Sequence, residues 1–430
     1  MSKKKMQTQI ISSEILEALS LQKRYNLLNI NLMIMLNDNE RNFLNEVQNF
    51  CMEFEKKNNI DHSEDIYSWY PAFGEKGYIH RFFNYEDLGI DYGKNFGITM
   101  EFMRQLAVTE FDPSFNLTTG ASTLCINPIK HHNEGREECL KPLKELITGK
   151  AVGCICITEP TKGSDATHLD TVAKRTKDGL VVSGTKCYNT NAPKSTYTVL
   201  YGTEDPSSSD SENKMSQSLI PLQDPTVTVE RVFIPSVPKI YIGKETYKET
   251  FVPNARILCD VGKGKFGLFE GLAVERIGIA IGALCLCWSA LTHATIYSNM
   301  RKQFGQEVSK FQGVGFLLAE YYAKVSNLTL ACLAFARGYD EAVVKHKGHL
   351  PDLLTQQYVM GASQLKYHVT NLSERCCYEM SNIMGGNGLN DNTLMEDLLG
   401  LSRIQEIIGG SRQIQLYIMM GAIRKMWRFI

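Results

Sequence analysis

The chain changes its hydrophobic periodicity twice, and this order restricts the folds open to it. In the first third, apolar residues recur at helical spacing, as in Phe43, Val47 and Phe54. Between about 151 and 255, short runs rich in Val, Ile, Thr and Tyr are separated by Gly, Pro and Ser, which predicts strands. After Gly267 the helical period returns and persists nearly to the end. Strands gathered between two helical regions do not form alternating βαβ units, so the order predicts an α+β multidomain protein.

The length of 430 residues also requires more than one structural unit, because single cores stop growing near about 250 to 300 residues. The pattern divides the chain into an N-terminal extension (1–36), an N-terminal helical domain (37–150), a middle β domain (151–260) and a C-terminal helical bundle (261–430). The extension precedes the first strong helix start signal, and we treat it as a segment of unknown use. Within the middle domain, the serine-rich stretch 205–217 predicts a mobile loop.

Composition excludes several classes of function. The formal net charge is −1, from 46 basic and 47 acidic residues, which argues against a nucleic-acid partner. The apolar run 27–36 is interrupted by asparagines and is too short to span a bilayer, and the start MSKKKMQTQ is a poor secretory signal. Twelve cysteines occur without a CxxC pair or Cys/His metal spacing. We therefore expect reduced thiols, a cytoplasmic location, no metal site and no membrane span.

The glycines of 262–267 match the GxGxxG pattern of a dinucleotide site, but the next element is another helix. A Rossmann fingerprint belongs inside a parallel βαβ unit. We interpret this segment as a flexible glycine connection between domains.

Two segments of the middle domain carry groups that suit a flat, charged cofactor. Residues 158–165 read TEPTKGSD and leave a predicted strand, so their hydroxyls and backbone N–H groups could hold a ring edge or a pyrophosphate. An ordinary hairpin loop would have the same composition. Residues 186–191 read KCYNTN, in which Tyr188 and Thr190 lie two residues apart and therefore on one face of a strand.

The ionisable pair Glu275-Arg276 lies in an otherwise apolar helical stretch, GLAVERIGIAIGALCLCW. A carboxylate buried in such surroundings has its charged form disfavoured, and its pKa rises toward the range useful for proton abstraction. A structural ion pair is the alternative.

A further set of glycines and polar residues lies in the C-terminal region: RKQFG at 301–305, GGNG at 385–388 and GGSRQ at 409–413. Glycines permit the backbone to approach a ligand or another subunit closely.

Together these motifs resemble those of the acyl-CoA dehydrogenase family, from about Asp38 to the C-terminus. TEPTKGSD is similar to the family's TEPxAGSD, KCYNTNA to KxWITNG, RKQFG with a following FQ to RxxFG…Q, and GGNGLN to GGxGY or GGNGF. The resemblance implies a helical domain, a β-barrel-like domain and a C-terminal four-helix bundle, assembled as a homotetramer with one FAD per subunit.

The resemblance also implies site residues. The cofactor contacts would be Ile157, Thr158, Ser164, Tyr188, Thr190, Gln303, Asn382 and Gly386. The FAD of a neighbouring subunit would be reached by Arg301, Phe304, Gln312, Ser411 and Gln413. The substrate would contact Ser164, Leu272, Arg276, Gly409 and Gly410.

The family's usual catalytic glutamate would fall at Gly409, which has no carboxylate. A branch resembling isovaleryl-CoA dehydrogenases carries its glutamate directly before an arginine on an earlier helix, and Glu275 occupies that place. The resemblance therefore implies desaturation of an acyl thioester at its α,β bond, with Glu275 as the base and hydride passing to flavin N5.

Three departures leave alternatives open. Tyr188 stands where the family has Trp, and Ala273 and Gly400-Leu401 replace the usual acidic contact to CoA and the usual Arg-Asp pair. The acyl or aminoacyl group could therefore be tethered to a carrier protein instead of CoA. The glycine at the usual base position is also compatible with a repurposed flavin lyase or monooxygenase, or with a non-catalytic FAD-bound scaffold that docks a partner through 1–36. Electrons could pass to an electron-transfer flavoprotein, another carrier or oxygen.

Overall fold

The computed structural model describes residues 11–60, 65–204, 214–390 and 393–427. Its three regions follow the predicted order: helices, one curled sheet, then long helices. The N-terminal helices are α1 (Ser13–Ala18), α2 (Leu21–Leu32), α3 (Asp38–Asn58), α4 (Tyr70–Glu75), α5 (Ile98–Phe111), α6 (Pro113–His132) and α7 (Glu137–Ile147). The predicted fold class is confirmed.

Residues 11–36, interpreted from sequence as an extension, form α1 and α2 and pack into the helical core. Leu28 and Leu32 are buried, and the Tyr25 hydroxyl donates to the Ala107 carbonyl at 2.8 Å. Arg24 Nη1 lies 2.7 Å from Glu110 Oε1, with both side chains buried. These contacts join α2 to α5, so this segment is part of the packed structure.

The middle region is a seven-stranded sheet with the order β1-β4-β2-β3-β7-β6 and β5 beside β4. Its strands are β1 (Gly153–Cys156), β2 (Val172–Arg175), β3 (Gly179–Thr190), β4 (Tyr197–Thr203), β5 (Met215–Pro221), β6 (Val227–Val232) and β7 (Ile242–Pro253). β1 and β2 pair with β4 in parallel, and the other pairs are antiparallel. The loop predicted at 205–217 falls mostly on 205–213, outside the described residues, and β5 already begins at Met215.

The C-terminal region is built around one long apolar helix. Its helices are α8 (Gly264–Met300), α9 (Gln312–Lys345), α10 (Asp352–Met384), α11 (Met395–Ile407) and α12 (Arg412–Met426), with a small hairpin of β8 (Lys302–Gln303) and β9 (Gln306–Glu307) between α8 and α9. α8 is long and apolar enough to cross a membrane, but 94% of its apolar window is buried inside the protein, against α5, α10 and α11. α8 is therefore buried like the central core helix of a globular domain.

Of the segment 262–267, interpreted from sequence as a flexible glycine connection, only residues 262–263 precede the next helix. α8 begins at Gly264, and a β-carbon on Gly264 would lie 2.6 Å from the Met215 carbonyl oxygen. Glycine is needed there because the first turn of α8 packs directly on the backbone of β5.

Candidate functional site

A cavity of about 1220 Å³ lies between the sheet, α6, α8, α12 and the start of α10. It brings together ten of the residues predicted from sequence: Ile157, Thr158, Ser164, Tyr188, Thr190, Leu272, Glu275, Arg276, Gly409 and Gly410. The two motifs of the middle domain and the Glu-Arg pair of α8 therefore face one space.

Glu159 fixes the loop that carries Thr158 and Ser164. Its carboxylate accepts from the Asp170 and Thr171 backbone N–H groups at 2.6 and 2.8 Å and from Lys186 Nζ at 2.8 Å. Burial acts to raise the pKa of Glu159, but Lys186 and these hydrogen bonds outweigh it and hold the pKa below its ordinary value. Because the buried Glu159–Lys186 pair is turned away from the cavity and holds the loop, the residues on either side of it, Thr158 and Ser164, line the cavity.

Tyr188 reaches the cavity by a different route from the one expected. The register of β3 against β7 shifts between Cys187 and Asn189, and Tyr188 has a φ of 59°. The same-face relation of a regular strand therefore does not hold for Tyr188 and Thr190, although both line the cavity. The irregularity leaves the Tyr188 side chain 64% exposed.

Glu275 is half-buried in the cavity wall. Burial raises its pKa to about 6, and the cations of Arg276 and Lys366 act in the opposite direction. Arg276 is only 5% exposed, and its Nε has no hydrogen-bond partner among the described residues. The structural ion pair weighed from sequence is thus not formed by a close contact, and the carboxyl can serve as a proton acceptor near neutral pH.

Gly409 and Glu275 come together from different helical segments. A β-carbon on Gly409 would lie 2.5 Å from Ile279 Cδ1 and 3.4 Å from Glu275 Oε1. Gly409 also has a φ of 62°, which side-chain-bearing residues rarely adopt. The space beside Gly409, to which the resemblance assigns the usual glutamate, is therefore filled by side chains of α8, one of which is Glu275.

Two residues that sequence reasoning missed hold this glycine loop. Lys366 Nζ donates to the Gly410 carbonyl at 2.7 Å, and Gln415 Nε2 donates to the carbonyls of Gly409 and Gly410 at 3.1 and 2.7 Å. Lys366 is fully buried, and burial lowers its pKa to about 8. A signal was present: Lys366 lies four residues after Ala362 and three before Val369, on the apolar face of α10.

The remaining predicted cofactor residues do not line this cavity within the described parts of the chain. Phe304, at the tip of the β8–β9 hairpin, is 94% exposed, and Ser411 is half-buried. The other members of this set are exposed: Arg301, Gln303, Gln312, Asn382, Gly386 and Gln413.

One cluster outside the cavity contains potential metal ligands. Among the described residues, ligand atoms of Cys154, Cys156 and Glu245 lie within 4.8 Å of one another. Burial raises the pKa of Glu245 to about 10 and that of the Cys156 thiol well above its usual value. Cys156 Sγ also accepts from the Thr198 hydroxyl at 3.1 Å. Burial therefore favours the protonated forms of Glu245 and Cys156 at neutral pH.

Comparison with known proteins gives consistent matches. The model for the acyl-CoA dehydrogenase middle domain matches residues 154–236, and that for the C-terminal domain matches 266–423. Together they span more than half of the chain. A mitochondrial isovaleryl-CoA dehydrogenase of Oryza sativa subsp. japonica is 27% identical over 311 residues, 71% of each chain. The probable acyl-CoA dehydrogenase YngJ of Bacillus subtilis is 27% identical over 381 residues, 86% of this chain and 94% of that one.

Solved structures share the fold. Butyryl-CoA dehydrogenase from Megasphaera elsdenii has a TM-score of 0.79 at 22% identity, covering 90% of this chain and 98% of that chain. A FAD complex of PigA has a TM-score of 0.78 at 17% identity, covering 90% and 98%. With the cavity that joins the two signature motifs to a buried glutamate, these matches lead to one conclusion: the chain belongs to the acyl-CoA dehydrogenase family, whose enzymes are FAD-dependent oxidoreductases acting on the CH–CH group of acyl-CoA.

Proposed function

We propose that the protein desaturates an acyl thioester at its α,β bond, with Glu275 as the catalytic base. The observation that carries this proposal is a carboxyl with a pKa of about 6 in the wall of the cavity that also contains the cofactor motifs. A base with this pKa is largely deprotonated at neutral pH and can take the acidic proton beside the thioester carbonyl.

The residues of the cavity fit a flavin. Thr158, Ser164 and Thr190 offer hydroxyls, and Tyr188 offers an exposed flat ring at the same wall. The volume of about 1220 Å³ exceeds the usual range of about 300–1000 Å³ for one ligand, so two ligands can lie side by side. When bound, FAD would accept the hydride released from the β-carbon.

Glu275 performs the protein's own part of the reaction. Its carboxylate would hold the abstracted proton while the cavity walls orient the acyl chain between α6 and α8. Gly409 contributes by having no side chain, since a β-carbon there would lie only 2.5 Å from Ile279 Cδ1, next to Glu275. Lys366 and Gln415 act as positioning residues, because they hold the backbone of the loop that faces the carboxylate.

The thioester tether is CoA or the phosphopantetheine of a carrier protein. Lys265 at the start of α8 and Arg424 and Lys425 at the end of α12 line the cavity, and their cations suit phosphate groups common to both tethers. An acyl-CoA is the first choice, in line with the names of the curated relatives. The acyl group presented on a carrier protein is the alternative.

A homotetramer would explain the predicted cofactor residues outside the cavity. Phe304 is 94% exposed at the tip of a hairpin, and Arg301 and Gln312 beside it are exposed. We propose that this surface faces the cofactor of a neighbouring subunit and that an electron-transfer flavoprotein takes up the electrons. Light scattering of wild type and Phe304→Ala, with flavin content measured in parallel, tests the assembly; a flavin-loaded monomer would contradict it.

The base is tested with Glu275→Gln. Acyl-CoA substrates are added anaerobically and the flavin absorbance is followed, with Glu320→Gln on the exposed Glu320–Lys324 pair of α9 as the matched control. We expect Glu275→Gln to slow flavin bleaching by at least about a thousandfold and the control to behave as wild type. Equal bleaching in both variants would contradict the assignment.

The alternative chemistries predict different results in the same assay. A lyase releases a β-substituent, and a monooxygenase forms a hydroxylated product with oxygen, in neither case with transfer to an added electron acceptor. A scaffold retains flavin that no thioester reduces. The cytoplasmic location stays a prediction from the cysteines.

A further inference from the structure

Two glutamine side chains meet at one end of the cavity. Gln105 on α5 is 5% exposed and Gln405 on α11 is 4% exposed, and both line the cavity. A β-carbon on Gly282 of α8 would lie 3.1 Å from Gln105 Oε1 and 2.9 Å from Gln405 Nε2. The two carboxamides therefore converge over a glycine, where no side chain separates them from each other.

The hydrogen bonds orient one carboxamide and leave the other unsatisfied. Gln105 Nε2 donates to Glu101 Oε1 at 2.9 Å, which turns Gln105 Oε1 toward Gly282. Gln405 Oε1 is buried and has no hydrogen-bond partner among the described residues. Gln405 Nε2 and Gln105 Oε1, which lie near the same point beside Gly282, present one donor and one acceptor, and a hydroxyl can bond to both.

The charge at this end of the cavity is balanced. Glu101 accepts from Arg104 Nε at 2.9 Å and from Arg104 Nη2 at 2.6 Å, and both side chains are buried. No net charge therefore faces Gln105 from this pair. A neutral donor such as a hydroxyl fits this environment better than an ammonium or a carboxylate would.

The two glutamines lie at a distance from Glu275, the proposed base, and therefore away from the carbons that would react. Gly282 lies seven residues after Glu275, two turns along the same face of α8, which corresponds to about 10 Å along the axis. Near Gly278, between them, the wall is apolar, with Phe82 Cζ 3.5 Å from a β-carbon placed there. An acyl group would thus have its α-carbon at Glu275, a hydrocarbon middle and a hydrogen-bonding end.

We infer that the acyl group accepted here carries a hydroxyl at its distal end, and that Gln405 and Gln105 are the specificity-determining residues that recognise it. This inference rests on the proposed desaturase function. A site whose buried polar groups need a substrate hydroxyl discriminates strongly against the analogue that lacks it, because the protein groups are then left unpaired.

The experiment uses the flavin-loaded protein and pairs of acyl-CoA probes, from butanoyl- to decanoyl-CoA, each with and without a terminal hydroxyl. Binding is measured by calorimetry in Glu275→Gln, which retains the cavity, and flavin reduction is measured in the wild type. We expect the hydroxylated member of the best-fitting pair to bind at least tenfold more tightly. Adding Gln405→Leu should reverse this preference, whereas Gln22→Leu on the exposed part of α2 should not change it.

The outcomes separate this inference from the proposed function. Hydroxyl preference in binding without any flavin reduction would contradict desaturation and support the recognition site. Reduction by plain acyl-CoA, with equal or tighter binding of the plain member and no effect of Gln405→Leu, would overturn the inference and leave the proposed function intact.

Discussion

The β-carbon that Gly409 lacks would lie 3.4 Å from Oε1 of Glu275. Two segments that are far apart in sequence thus meet in one small region of the cavity. The loop at Gly409 has no side chain there, and α8 places the carboxyl of Glu275 there. This proximity gives a physical reason why the proposed base can lie on α8 instead of at position 409.

Gly409→Ala should therefore lower both stability and activity. The added β-carbon meets Ile279 Cδ1 at 2.5 Å, and the φ of 62° is unfavourable for alanine by roughly 1–2 kcal/mol. Denaturant unfolding measures the loss. Ile279→Val combined with Gly409→Ala should recover only the steric part, so full recovery by the double variant would contradict the role assigned to the backbone conformation.

Glu275→Gln should stabilise the protein at neutral pH. The folded-state pKa of about 6 lies above the ordinary 4.5, so the folded state binds the extra proton and the stability associated with Glu275 is lost as the pH rises from 4.5 through 6. Glutamine removes this penalty of about 1–2 kcal/mol above pH 6. The melting temperature of the variant should exceed that of wild type at pH 7.5 and match it near pH 4.5; an equal difference at both pH values would exclude the linkage.

The acid limb of the kcat/KM profile should report the same group. Activity should rise through about pH 6 as Glu275 loses its proton. Lys366→Met removes a cation that lowers the pKa of Glu275, so the limb should move to higher pH and kcat/KM at pH 6 should fall about threefold to tenfold. Gln415→Met is the control, because it loosens the same loop without removing a charge. A shift of similar size in both variants would mean that loop position, and not charge, sets the limb.

Tyr188→Ala should weaken flavin binding by about tenfold, since it removes the one large flat side chain among the predicted cofactor residues of the cavity wall. Tyr188→Phe keeps the ring and should bind as the wild type does. Fluorescence titration of the flavin-free protein measures both affinities. If Tyr188→Phe loses as much affinity as Tyr188→Ala, the hydroxyl and not the ring carries the contact.

Arg24→Met should destabilise the protein by roughly 3–5 kcal/mol, because it leaves Glu110 buried without its cation. Lys23→Met next to it affects an exposed pair with Glu17 and should change stability by less than about 1 kcal/mol. Chemical unfolding of both variants tests whether α2 belongs to the cooperative core. Similar small effects would instead support an extension that folds independently.

The sequence predicted the order of the regions and much of the cavity wall, because both depend on local information. A change in the spacing of apolar residues, from the helical period of 3.6 to the strand period of 2, identifies the sheet. Short sequence motifs identify Thr158, Ser164 and Glu275 as residues of the cavity wall. The exposure of Tyr188 could not be predicted in this way, because it depends on a register shift against β7. The sequence places Lys366 on the apolar face of α10, but it does not show the partner of Lys366, which is a backbone carbonyl at another helix end. The surface against which α2 packs could not be identified from the sequence, because the buried residues of α2 match residues far away in the chain.

The carboxylate of Glu159, with its three donors, has a consequence for how a ligand arrives. The turn from Thr158 to Ser164 is held by these hydrogen bonds in the folded protein. A ligand that binds there therefore loses its own conformational entropy but does not have to order the turn. Uptake of cofactor by the folded chain should then be a single bimolecular step, first order in flavin, without the slow rearrangement that an unformed turn would impose.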